Sequence, residues 1–385
     1  MKKKILFFVA EDWYFVSHRL NLAIEATRNN YEVHLITNCN KDKQYIESHG
    51  ILAHKLNLVR SSFNLFREIK TIFNVIKIYK KVKPDIIHHV AIKPILYGMI
   101  AARYLKLSNA VNSFGGLANL FWSENLKHKI FRPFLFFVLR NLLNYSNSKC
   151  ILQNNDDLKL LIDNNLLDQS KAIIIRGSGV DIEKFNYRKE KPGTIKVVLA
   201  SRLQSDKGVY EFINAVKIFK RETVDVEFYL AGMVDVHNPS AIDQGIIKKW
   251  QLDGYVEWLG HVVDMPKMMH DAHIVCLPSY REGLPKVLLE AASCGRPLVA
   301  TNVPGCREIV IDGYNGFLVP PQDHIGLYNA IKKLIEDKRI REKMGMNGRT
   351  LVENNFSINK ICDETIKVYE KMLLEAGLSS KIFLK

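Results

Sequence analysis

Short apolar runs alternate with longer stretches of helical period along the whole chain. KILFFVA (4–10), EVHLITN (32–38), DIIHHV (85–90), NAVNSF (109–114), CILQN (150–154) and AIIIRG (172–177) read as strands. A second series follows: IKVVLASR (195–202), VEFYLAG (226–232), YVEWLG (255–260), AHIVCLPS (272–279), RPLVATN (296–302) and GFLVP (316–320). Strands separated by helices predict parallel sheets covered on both faces. Between the two series lies NYRKEKPG (186–193), charged and ending in Pro-Gly, which reads as a linker. The pattern therefore predicts two α/β, doubly wound, Rossmann-like domains, roughly 1–187 and 188–360. An amphipathic helix from about 357 to 375 follows, and residues 361–385 are expected to pack back toward the first domain.

Length and composition agree with two soluble domains: 385 residues, 47% hydrophobic and 25% charged. The opening MKKKILFFVA has a basic start, but its apolar run stops at Glu11 and Asp12, so it reads as a strand rather than a signal peptide. No stretch reaches the roughly 18–20 apolar residues of a spanning helix, and a cytoplasmic location is expected. The six cysteines are scattered without a CxxC pair, as reduced, packed thiols are.

Charge changes the picture. Residues 1–190 hold 29 Lys+Arg against 16 Asp+Glu, whereas residues 191–385 hold 26 against 24. The first half is expected to meet something anionic. No RNP, zinc-finger or helix-turn-helix signature supports nucleic acid. Residues 57–84 carry Arg60, Arg67, Lys70, Lys77, Lys80, Lys81 and Lys83 against Glu68 alone, with Phe66, Ile69, Phe73, Ile76 and Tyr79 at helical spacing. Residues 125–143 are aromatic and basic. Two readings stand: helices that pack on the sheet and show lysines to water, or peripheral contact with an anionic membrane.

A dinucleotide oxidoreductase is disfavoured, because FFVAEDWYFVSHR after the first strand contains no glycine and GSGVD (177–181) lacks the third one. In the second domain, Arg202 and Lys207 flank a polar turn before a helix that begins near Gly208. Cations beside free helix amides make an anion site; solvated surface cations are the plainer alternative. Further on, Glu282 lies in the turn YREGLP, with Pro285 as the first helical residue and Glu290 about 7–8 Å along the axis. A nucleotide sugar across that helix start would leave one carboxylate for sugar hydroxyls and the other for the ribose diol. An unpaired carboxylate inside VLLEAASCG would otherwise be costly.

EGLPKVLLE is similar to the E-x7-E signature of the retaining glycosyltransferases of family 4. SRLQSDKG, GSGVDIEKF (177–185) and ATNVPGCREIVIDGYNGFLVPPQD (300–323) extend the resemblance. FVSHRLNLA (15–23) resembles the subgroup that builds bacterial capsule, O-antigen and lipid-linked oligosaccharides. The resemblance implies a GT-B fold, two facing doubly wound domains with an interdomain cleft. It implies a retaining transfer of a hexose or N-acetylhexosamine from a UDP-sugar to a hydroxyl of a polyprenyl-diphosphate-linked acceptor, at the inner face of the cytoplasmic membrane.

By the same resemblance Glu282 would bind the donor sugar and Glu290 the ribose. Arg202 and Lys207 would neutralise the diphosphate, the backbone around Gly283, Leu284 and Pro285 would line the donor, and the loop at His261 would face the base. No D-x-D occurs, so no metal and no other cofactor is expected. Two departures stand out: the first strand lacks the family's glycine-rich loop, and NSFGGLANLF (112–121) lacks its histidine. His18 and Arg19, then His88 and His89, and Lys93 are the candidates for diphosphate or acceptor phosphate. A nucleotide-sugar 2-epimerase and a non-catalytic nucleotide-sugar-binding protein are the alternatives.

Overall fold

The computed structural model describes residues 2–59, 64–117, 121, 126–235 and 238–382, of which 65, 126–131 and 378–382 by backbone alone. The chain divides into two compact units, residues 1–178 with 359–385, and residues 179–358.

The first unit holds β1 (Lys4–Glu11), β2 (Glu32–Asn38), β3 (Leu52–Lys55), β4 (Ile86–Val90), β5 (Ala110–Ser113), β6 (Ser148–Leu152) and β7 (Ala172–Ile174). They form one parallel sheet in the order β3-β2-β1-β4-β5-β6-β7. The second unit holds β8 (Ile195–Ala200), β9 (Val226–Ala231), β10 (Glu257–Gly260), β11 (Ile274–Leu277), β12 (Leu298–Thr301) and β13 (Gly316–Val319). Their order is β10-β9-β8-β11-β12-β13, again all parallel. Both are the predicted doubly wound α/β sheets. The predicted strands are present to within a few residues, and β3 is an addition.

Helices on both faces explain why the strands read as continuous apolar runs. Ile5, Leu6, Phe7 and Phe8 are all fully buried. In each sheet the winding reverses once, between β1 and β4 and between β8 and β11. A crevice opens outside the carboxyl ends of the strands at such a reversal, which is where a ligand fits.

The boundary falls before the charged segment 186–193, not in it. Phe185 is buried in the second unit's core. Glu190 accepts from Arg341 Nε at 3.0 Å and Nη2 at 2.9 Å, and the buried Arg296 guanidinium donates to the Arg188 carbonyl. Charge and Pro-Gly mimic a linker here, but Glu190 is paired with Arg341 and Lys191 with Asp271. At the other end, the helix Ile358–Ile382 belongs to the first unit, where Tyr369 is fully buried and its hydroxyl meets His88 Nδ1.

Candidate active site

In the second unit, β8 and β11 pair directly, with Val197 opposite Ile274 and Leu199 opposite Cys276. Their carboxyl ends release two loops side by side. The first runs through a 3-10 turn, Ser205–Lys207, to the helix Val209–Arg221. Gly208 caps that helix at φ +72°, and a Cβ there would lie 2.0 Å from the Pro278 carbonyl oxygen. Only glycine lets the loop close so tightly on the end of β11. Tyr280 N and Ser279 Oγ then donate to the Asp206 carbonyl at 2.9 and 3.3 Å.

This stitching places Lys207 Nζ 2.6 Å from Glu282 Oε1, with the two side chains only 13% and 15% exposed. The two predicted residues therefore meet across 75 positions of sequence in a charge-assisted hydrogen bond. From the other side the segment Pro304–Arg307 buttresses the turn: Gly305 N donates to the Glu282 carbonyl at 3.2 Å. A Cβ on Gly305 would stand 2.3 Å from the Gly283 carbonyl oxygen. Gly305 sits inside VPGCRE, and its part in holding Glu282 has no sequence signal beyond being a glycine.

The helix Lys286–Ser293 starts one residue later than expected. Pro285 caps it in an extended conformation (ψ 110°) and accepts from Leu288 N through its carbonyl. Glu290 is the fifth helical residue and is buried, and burial raises its carboxyl above the usual range. Lys286 Nζ, 3.7 Å away, and Lys184 pull the other way. A carboxylate has about four acceptor sites, more than one lysine ammonium fills. Arg202 does not join the pair. It is 57% exposed and its guanidinium lies 3.9 Å from Asp235 Oδ2, an exposed ion pair of little energetic weight. His261 is exposed just beyond β10, the edge strand, two strands away from β8.

In the first unit the reversal between β1 and β4 opens a cavity of about 370 Å³ at the carboxyl ends, lined by Glu11, Tyr14, Lys93, Phe114, Gly115 and Gly116 among others. Lys93 thus reaches a cavity, with its ammonium bonded to the Val59 carbonyl (2.9 Å) and Glu68 Oε1 (3.1 Å). His18 stacks on Tyr14, centroids 4.2 Å apart, and its Nδ1 lies 2.6 Å from Ser17 Oγ. Arg19 is buried, and its Nε has no hydrogen-bond partner. Sequence reasoning passed over Glu11, and over Ala91, whose φ of +74° and ψ of 164° at the cavity wall belong to a region almost reserved for glycine.

His88 and His89 are corrected: both are fully buried within β4 and neither lines this cavity. His88 bonds Tyr369 and Ser113 and stacks on Phe7. His89 bonds Tyr79 at 2.8 Å and Asn112 at 2.7 Å. Burial drives both below the usual histidine range, His89 to about 4. Alternation along a strand sends one residue into the core only when the other face is open, and here both faces are covered.

Among the described residues no group of three His, Cys, Asp or Glu is disposed to hold a metal ion. What the second unit offers is a near-buried cation–carboxylate pair and a second, buried carboxylate on the adjoining helix, suited to hydroxyls and phosphate rather than to apolar ligands.

Two family models match in sequence order, glycosyl transferase 4-like over residues 4–155 and glycosyl transferases group 1 over residues 181–351. The chain is 27% identical to the capsular polysaccharide biosynthesis glycosyltransferase CapM of Staphylococcus aureus, over 91% of this chain and 92% of that one. It is 25% identical, over 89% and 92%, to the N,N'-diacetylbacillosaminyl-diphospho-undecaprenol alpha-1,3-N-acetylgalactosaminyltransferase of Campylobacter jejuni. Anabaena HepE, solved with UDP, superposes with a TM-score of 0.78 at 21% identity, over 96% of this chain and all of that one. With the two models together spanning most of its length, the chain belongs to the GT-B glycosyltransferases that join a 4-like first domain to a group 1 second domain.

Proposed function

We propose that this glycosyltransferase of polysaccharide biosynthesis moves a hexose or N-acetylhexosamine from a UDP-sugar to a hydroxyl of a polyprenyl-diphosphate-linked glycan, with retention at the anomeric carbon. The observation that carries the proposal is the Lys207–Glu282 pair at the β8/β11 reversal, with the buried Glu290 on the next helix. The UDP bound to HepE and the undecaprenol-linked acceptor in the Campylobacter enzyme's name favour the same donor and acceptor classes.

In this proposal Glu282 accepts hydrogen bonds from the donor sugar and Glu290 from the ribose diol, while His261 faces the base and the turn Gly283–Leu284–Pro285 lines the donor. Lys207, aided by Arg202, stabilises the diphosphate as the bond from the anomeric carbon to phosphate oxygen breaks. The acceptor oxygen attacks the same face, and its proton passes to the departing phosphate oxygen. No metal enters this scheme, since the cations carry the electrostatics. Lys93 and Arg19 are the acceptor-side cations, with the His18 imidazole as a further polar group on that side. The acceptor's lipid sets the reaction at the inner face of the cytoplasmic membrane.

A thermal-shift panel of nucleotide sugars tests the donor: a ligand at about 100 times its Kd adds about 2.7 kcal/mol to folding stability. Glu282→Gln and Glu290→Ala should each lower turnover at least about tenfold, or about 1.4 kcal/mol. The donor assignment fails if both variants turn over like wild type. Isomerised or hydrolysed sugar in place of transferred sugar would indicate the epimerase, and binding without turnover a sensor.

A further inference from the structure

The helix Leu65–Val82 is amphipathic, but it does not bury all of its apolar residues. Val75, Ile76, Tyr79 and Val82 face the core. Phe66 is 86% exposed and Phe73 59%, and Ile69 beside them is exposed too. At 3.6 residues per turn these three fall within about 60° of one another, on the side away from Val75 and Tyr79. Leaving two phenylalanines in water on one stripe is costly unless something apolar covers them.

Next to the stripe is a cavity of about 420 Å³ lined by Lys55, Asn57, Arg67, Lys70, Thr71 and Asn74. It holds three cations and two amides with no carboxylate in its wall. Among the described residues no carboxylate pairs with Lys55, Arg67 or Lys70, and the helix's one acid, Glu68, is taken by Lys93 and Tyr97. The helix Leu126–Leu143, which contains no acidic residue, adds Phe134 and Phe137, each 68% exposed. Both helices pack against the helix Ile92–Tyr104 between them. Arg60 and the side chains of 125–131 lie outside the described residues. No helix among those described is long and apolar enough to cross a membrane.

We propose that this face docks on an anionic bilayer: the phenylalanine stripe enters the acyl boundary while the Lys55/Arg67/Lys70 cavity seats a lipid phosphate. A bilayer is the occupant whose chemistry matches both halves, apolar and anionic, on one helix. The proposal deepens the lipid-linked reading above by naming where the lipid surface sits, and it concerns binding rather than transfer.

The test is flotation of the full chain with vesicles of phosphatidylcholine alone and of phosphatidylcholine with about 30 mol% phosphatidylglycerol. Wild type should partition to the anionic vesicles only. The Arg67→Gln/Lys70→Gln variant should lose about fivefold in partitioning per charge removed. Phe66→Ser/Phe73→Ser should lose at least about tenfold, since apolar burial drives the insertion. All four side chains are exposed, so the melting temperatures should not move, nor should turnover on a water-soluble acceptor analogue.

Equal partitioning to neutral vesicles, or either variant binding anionic vesicles as wild type does, would overturn the docking surface. So would inorganic phosphate that raises the melting temperature through Arg67 and Lys70 while no vesicle is bound, because the cavity would then be a site for soluble phosphate. Vesicle binding that behaves as expected in a protein that transfers no sugar leaves this inference standing and removes the proposed function alone.

Discussion

Gly305→Ala isolates the positioning of Glu282 from its chemistry, because residue 305 touches the backbone of the turn and not the carboxylate. The added methyl would lie 2.3 Å from the Gly283 carbonyl oxygen, 2.5 Å from its carbon and 2.8 Å from the Glu282 carbonyl oxygen. All three neighbours are backbone, so no side chain can swing away. Restoring ordinary contact moves the turn by about 1 Å, and the Gly305 N–Glu282 O hydrogen bond makes turn and buttress move together. Overpacking of this kind costs about 1–3 kcal/mol of stability. A displacement of about 1 Å at a reacting centre costs on the order of 100-fold in rate. Initial rates at saturating donor, with calorimetric nucleotide affinity alongside, should therefore show turnover falling far more than ribose-end binding. Gly348→Ala is the control: its Cβ would meet Ala292 at 3.4 Å, an ordinary contact inside the helix Lys338–Asn355, and a gain of about 0.5–1 kcal/mol is expected. Turnover of Gly305→Ala within twofold of wild type, with an unmoved melting temperature, would refute the claim that the Glu282 turn is held from behind.

Two further outcomes follow from buried groups. Glu190→Gln strands the buried Arg341 guanidinium and should cost about 3–5 kcal/mol in urea denaturation; a loss under 1 kcal/mol would show that segment 186–193 is the loose connector its sequence suggests. His89 stays neutral in the fold down to about 4, whereas in the unfolded chain it titrates near 6.5. The unfolded state thus takes up the proton first, so stability falls as pH drops from about 6.5 toward 4. This one group accounts for about 2 kcal/mol between pH 7 and pH 5. His89→Gln should flatten the pH slope of stability by that amount, and an unchanged slope would contradict a histidine buried neutral.

What the chain revealed in advance was local. Strands buried on both faces announce themselves as apolar runs; Glu290 stood out because a carboxylate within VLLEAASCG needs a reason, and Glu282 because it lies in the turn before that helix. β3, LAHK, escaped notice because an edge strand half open to water has no apolar run to display. The partnership of Lys207 with Glu282 depends on β8 lying beside β11, a fact of winding that no short window contains. Gly208 and Gly305 sit in the segments that carry the resemblance, but the reason each must be glycine is backbone that approaches from 70 and 22 residues away, which shows only once the loops are closed. Arg202 lies close to Lys207 in sequence, yet in the fold its guanidinium is 3.9 Å from Asp235 Oδ2 rather than beside the Lys207–Glu282 pair, a placement that proximity along the chain does not convey.

The return of the last helix to the first sheet bears on how the polypeptide matures on the ribosome. Residues 179–358 are contiguous and can condense as soon as they emerge, while the earlier-made half must wait for Tyr369 to cover His88 and for Met372 to accept from Asn147. The half synthesised first is therefore finished last, and severing the gene near codon 178 would yield one self-sufficient fragment and one with an open seam.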